Sequence, residues 1–206
     1  MPDSGSGRRM SRDSALDVLA RRRTDQLTVA TMTALGPWHA RSPSDRNLVC
    51  VGFMGGASTL GLGVALARPD LPVWVLDGDG SLLMQLGSLA TIANAAPSRF
   101  LHVVFHNGIY ETSGAQPLPA EGKLTFAGMA REAGYRHAER FDDVEAFDAA
   151  LDGLLQLQGP VLVELITAPA GGFYTPPAPP SQPVTPALAR SWPRVRDALR
   201  PPADLG

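Results

Sequence analysis

A single cysteine in 206 residues rules out a disulfide framework within the chain. That residue, Cys50, lies in the apolar run Leu48-Val49-Cys50-Val51, where a small buried hydrophobe is a simpler reading than a nucleophile. No run approaches the roughly 20 apolar residues that cross a bilayer. The opening MPDSGSGRRM lacks the apolar stretch of a signal peptide, so the sequence reads as cytoplasmic, without a membrane partner. Net charge is also small, at −2, and gives no bulk electrostatic case for nucleic acid. Only the first segment is basic, through Arg8, Arg9, Arg12, Arg21, Arg22 and Arg23, and a solvated helix face or a subunit contact accounts for it. Solenoid repeats are absent. So is a G-x-G-x-x-G after the first strand with an acid about 20 residues on, which sets aside a dinucleotide-binding domain.

With 44% hydrophobic residues, the chain can bury a proper core, and one domain with tails is expected. Residues 1–10 read as a flexible N-terminus. Over 11–23, Ala15, Leu16, Leu19 and Ala20 share a helical face, and 27–31 reads as a strand. A loop around 41–47 follows. Then strands at 48–51, 73–76 and 100–105 alternate with helices at 57–67 and 82–94. The rhythm resumes with a helix at 124–133, a strand at 135–138, a helix at 143–157 and a strand at 161–166. Such alternation predicts an α/β fold: a doubly wound, mainly parallel sheet with helices on both faces, over residues 11–168. Residues 169–206 are proline-rich and form a tail, with a possible last helix at 187–199.

Ligands of such sheets bind beyond the carboxyl ends of the strands. Three segments there stand out: Gly52-Phe53-Met54-Gly55-Gly56, Asp77-Gly78-Asp79-Gly80-Ser81 and His106-Asn107-Gly108-Ile109-Tyr110-Glu111. In the second, Gly78 and Gly80 allow a tight turn beside a ligand, Asp79 offers a hard oxygen and Ser81 a hydroxyl. Magnesium prefers octahedral oxygen ligation from one or two protein groups plus phosphate and water. Asp79 therefore needs an amide or carbonyl partner, and Asn107 follows after one helix and one returning strand, at the end of the adjacent parallel strand. The carbonyl of Ile109 is a candidate third donor. In isolation, Gly-Asp-Gly is also an ordinary strand-to-helix turn.

Gly78-Asp79-Gly80-Ser81 followed by Asn107 resembles the metal and diphosphate motif of thiamine-diphosphate enzymes. The run MGGASTLGLGVALARPDLPVWVLDGDGSLLMQLGSLATIANAAP and the later HNGIYETSGAQP resemble, more narrowly, the cofactor-binding half of phosphonopyruvate and sulfopyruvate decarboxylases. The likeness spans about residues 25–167 and leaves the tails outside. It implies thiamine diphosphate and Mg2+ as cofactors, with Asp79 and Asn107 binding the metal by side chains and Ile109 by its carbonyl. It further implies that Ser81 contacts the diphosphate, that the Gly52 carbonyl accepts from the aminopyrimidine, and that the Met54 side chain wedges between the two rings. Thr31 and Thr33 correspond to hydroxyls near the diphosphate. Glu111 stands where related decarboxylases place an acid that moves a proton near the reacting carbon; the bland alternative is an exposed loop glutamate. Two positions depart from the family pattern. His106 replaces the first of two asparagines, and Gly56 replaces a histidine, which leaves substrate identity open.

In this superfamily a glutamate from a separate pyrimidine-binding domain activates the cofactor. The chain has room for the diphosphate-binding domain alone, so the resemblance implies a beta-type subunit of a split 2-oxo acid decarboxylase. A pyrimidine-domain alpha subunit would complete it, in an αβ or α2β2 assembly acting on a small 2-oxo acid. A carboligase making an acyloin or acetolactate-like product uses the same cofactor site, and a non-catalytic cofactor-binding scaffold is a third reading.

Overall fold

The computed structural model describes residues 9–51, 54–171 and 187–200. Six strands form one sheet: β1 (Leu27–Thr31), β2 (Asn47–Cys50), β3 (Val73–Gly78), β4 (Phe100–His106), and, beyond the two-residue pair β5 (Ile109–Tyr110) and β6 (Gln116–Pro117), β7 (His137–Phe141) and β8 (Val161–Ile166). Their order is β2-β1-β3-β4-β8-β7, and every neighbouring pair is parallel. The central strands β1, β4 and β8 are buried along their whole length, which is why they read as near-continuous apolar runs.

Alternation along β3 divides the core. Val73 and Val75 join a cluster under α3 (Ala57–Ala67), α5 (Ser88–Ala95) and α6 (Phe126–Ala133), whereas Trp74 and Leu76 join one under α1 (Arg12–Arg22), α2 (Met32–Arg41) and α7 (Val144–Gln156). The fold is therefore α/β with helices on both faces of a parallel sheet, as the alternation predicts.

Three local features differ from the sequence reading. Residues 32–40 have no element in that reading but form α2, because Gly36 and Pro37 look like loop residues; Trp38 nevertheless anchors the helix, fully buried and donating from Nε1 to Thr28 Oγ1 at 2.9 Å. The helix expected over 82–94 is split into α4 (Asp79–Met84) and α5. The break falls at Gln85, against which Gly55 packs so closely that a Cβ on Gly55 would lie 2.8 Å from Gln85 Cβ. Arg9 and Met10, assigned to a flexible N-terminus, are held: Met10 bridges Thr167 in parallel at the end of β8. Residues 1–8 of that segment lie outside the described residues.

The last helix, α8 (Ala187–Ala198), lies against the edge strand β2. Its Val195 is fully buried, Ser191 Oγ accepts from the Val49 N–H at 3.4 Å, and the Arg68 guanidinium donates to the Leu199 carbonyl just beyond it. Most of the proline-rich stretch before α8 lies outside the described residues. Among the described residues, no helix is long and apolar enough to cross a membrane.

Candidate functional site

β3 and β4 run side by side with Gly78 opposite Phe105, so Asp79 and Asn107 emerge from adjacent strand ends. Asp79 is almost completely buried, and both of its oxygens are used: Oδ1 accepts from the Gly80 N–H and Oδ2 from the Gly108 N–H, each at 2.7 Å. It thus ties the turn after β3 to the loop after β4. Burial raises the Asp79 carboxyl above its ordinary range, outweighing the amides of Gly108 and Gly80 and the nearby His106, which pull the other way. A cation bound here would relieve that cost.

Asn107 Oδ1 accepts from the Ile109 N–H at 3.0 Å, and its Nδ2 donates to Glu111 Oε2 at 3.0 Å. Glu111 begins a single 3-10 turn, and its second oxygen accepts from the Ala170 N–H at 2.6 Å. Glu111 is partly buried, and its two carboxylate oxygens join the Asn107 side chain to the Ala170 backbone. Gly108 has φ +82°, a left-handed conformation that strains other residues, and a Cβ there would lie 2.8 Å from the Glu121 carboxyl, which would have to shift. Gly80 must also stay bare, since a Cβ would lie 2.6 Å from the Tyr110 ring.

A narrow pocket, about 30 Å³ in volume, opens between these loops. Of the residues singled out in the sequence, Thr33, Met54, Gly78, Asp79, Gly80, Ser81, Asn107, Ile109 and Glu111 line it. Ser81 Oγ accepts from the Gly55 N–H at 3.0 Å, which packs the turn carrying Met54 onto the turn carrying Asp79. Thr31 is buried at the end of β1 and is not part of the pocket wall, while Thr33 reaches it from α2. Gly52 lies outside the described residues.

Sequence reasoning missed Met32 and Phe105, which complete the wall together with Tyr110 and Thr112 from the segment after β4. It also missed the surroundings of His106. That imidazole lies between two acids, Nδ1 at 2.7 Å from Glu164 Oε1 and Nε2 at 3.0 Å from Glu121 Oε2. Glu164, on β8, is fully buried and also accepts from the Ala127 N–H at 3.0 Å. Burial alone would lower the His106 pKa, but its hydrogen bonds to the Glu164 and Glu121 carboxylates and the charges of Asp79 and Glu164 raise it. The sequence signal was a lone glutamate within the apolar strand 161–166, a buried charge that needs a partner.

Among the described residues, no three His, Cys, Asp or Glu side chains converge as a metal cage. The donors present are one carboxylate, one amide oxygen and a main-chain carbonyl. Each Asp79 oxygen and Asn107 Oδ1 accepts a single N–H and keeps a lone pair. Such a set suits a hard cation that completes its shell with phosphate oxygens and water, and the residues therefore fit magnesium bound together with a diphosphate.

Residues 30–165 match a family model described as the thiamine pyrophosphate enzyme, C-terminal TPP binding domain. The chain is 41% identical over 125 residues to a phosphonopyruvate decarboxylase from Streptomyces hygroscopicus, covering 61% of this chain and 31% of that protein. It is 37% identical over 126 residues to a sulfopyruvate decarboxylase subunit beta from Methanothermobacter thermautotrophicus, covering 61% of this chain and 64% of that subunit. The chain thus spans about a third of the first relative and nearly two thirds of the second. A solved structure of a candidate thiamin diphosphate-dependent enzyme from Mycobacterium smegmatis superposes with a TM-score of 0.66 at 22% identity, covering 78% of this chain and 32% of that one, and shares the fold. Because the family model covers most of the chain, from the first strand to the last, the chain belongs to the thiamine pyrophosphate enzymes as a C-terminal TPP-binding domain.

Proposed function

We propose that this chain is the diphosphate-binding, beta-type subunit of a thiamine-diphosphate-dependent 2-oxo acid decarboxylase of the phosphonopyruvate and sulfopyruvate type, active with a partner subunit. The observation that carries the reading is the emergence of Asp79 and Asn107 from adjacent strand ends, with spare oxygen lone pairs at the mouth of one pocket. The names of the relatives, decarboxylases and a subunit beta, support the reaction class and the split arrangement.

Thiamine diphosphate, when bound, supplies the electron sink for loss of carbon dioxide. The protein's part is to hold and orient it. Asp79, Asn107 and the Ile109 carbonyl would hold Mg2+, leaving other positions of its shell to phosphate oxygens and water. Ser81 accepts from Gly55 and so has its own proton free to donate to a phosphate oxygen. Met54, on the turn packed against Ser81, is the apolar side chain that would keep the cofactor bent. Glu111, hydrogen-bonded to the Asn107 amide, is the local acid to hold or move a proton at the substrate carbon. The partner would supply the glutamate that activates the aminopyrimidine, in an αβ or α2β2 complex on a small 2-oxo acid.

Titration calorimetry with Mg2+ and thiamine diphosphate tests the site. The Asp79→Ala variant should lose metal-dependent cofactor binding, because it removes the sole carboxylate among the donors. Unchanged affinity would refute the assignment.

A further inference from the structure

The metal-binding loop is tied to a part of the chain that lies 21 residues ahead of the family match, which begins at residue 30. Met10 is anchored beside the end of β8: its N–H donates to the Ile166 carbonyl at 3.1 Å, and its carbonyl accepts from the Ala168 N–H at 2.9 Å. That anchoring turns Arg9 onto the site. Arg9 Nη1 donates to the Asn107 carbonyl at 3.0 Å, and Nη2 lies 3.7 Å from Glu121 Oε1. Glu121 is in turn held by His106.

The consequence is local and geometric. The peptide unit joining Asn107 to Gly108 is gripped at both ends, its carbonyl by Arg9 and its N–H by Asp79 Oδ2. Hydrogen bonds on both sides of a peptide plane oppose its flipping. Next to it Gly108 adopts a left-handed conformation, from which the chain runs on to Ile109. The other arginines described in the basic N-terminal segment are engaged elsewhere: Arg12 with Asp13, Arg21 and Arg22 with Asp148, and Arg23 with Ser42.

We propose that Arg9 is a positioning residue for the metal-binding loop, acting through the Asn107 carbonyl and Glu121, so that the N-terminal segment sets how tightly the chain retains Mg2+ and thiamine diphosphate. This rests on the reading of Asn107 and Ile109 as metal donors. Two measurements on the full chain separate the claims. In cofactor-free protein, Arg9→Ala should speed amide hydrogen exchange at Gly108 and Ile109 about tenfold, the loss of one charge-assisted hydrogen bond, while exchange in β4 stays unchanged. Calorimetry should then show the Kd for thiamine diphosphate with Mg2+ about tenfold weaker in Arg9→Ala. Arg9→Lys, which keeps one donor, should recover part of both effects. Unchanged exchange at those two amides, or unchanged affinity, overturns the role of Arg9. Failure of the unsubstituted chain to bind cofactor at all overturns the cofactor reading and, with it, any role of Arg9 in cofactor retention; the exchange result still reports its hold on the loop.

Discussion

His106 and Glu164 show how a buried charge is matched beside the site: an imidazole lies against a fully buried carboxylate. Burial acts to raise the Glu164 pKa, yet the His106 hydrogen bond and the Ala127 amide hold it below its ordinary range. The signs give a window. A lowered Glu164 stabilises the fold above its unfolded value of 4.5 and loses this as pH falls through the lower folded value. A raised His106 stabilises it fully below its unfolded value of 6.5 and loses this as pH rises through the higher folded value. The pair is therefore most stabilising between those two unfolded values. Glu164→Gln should cost about 3 kcal/mol in urea unfolding at a pH inside the window, and less in alkaline solution. An equal penalty at both pH values would show that the charge pair is not what stabilises the fold.

Among the elements, α8 does more than the composition of the tail suggests. An edge strand carries a row of backbone groups open to wrong pairing, and α8 lies along β2, gives the Val49 N–H a partner and sinks Val195 into the core. Val195→Ala should lower unfolding free energy by about 2 kcal/mol in chemical denaturation, with the slope unchanged. A negligible change would mean that α8 contributes little to the fold. Most of the sheet was legible because buried strands carry uninterrupted β-branched and aliphatic runs between glycine and proline signals. α2 was not, since Gly36 and Pro37 conceal a helix whose stability comes from Trp38 packed between α2 and β1. The break between α4 and α5 was hidden too; it falls at Gln85, which packs against Gly55, some 30 residues away in sequence.

For the whole molecule, the family match accounts for a TPP-binding domain, and residues from several strand ends of that domain line one pocket. If the proton chemistry at the aminopyrimidine comes from another chain, the purified chain supplied with Mg2+, thiamine diphosphate and a panel of 2-oxo acids should bind cofactor but release no carbon dioxide. Adding a pyrimidine-domain partner should restore turnover. Robust turnover by the isolated chain would sink the split-enzyme reading.

The sequence by itself determined the parallel α/β architecture and the pairing of Asp79 with Asn107, because strand periodicity and a one-helix crossover place two strand ends side by side whatever the details of packing. Only the tertiary structure decided what surrounds that pair. Arg9, Glu121 and Glu164 reach the loop from positions 98, 14 and 57 residues away from Asn107, and no local pattern records contacts over such separations. Asp79 and Asn107 are the legible part of the site because their placement at adjacent strand ends follows from spacing; the hold on the peptide between Asn107 and Gly108 depends on where the folded chain brings Arg9.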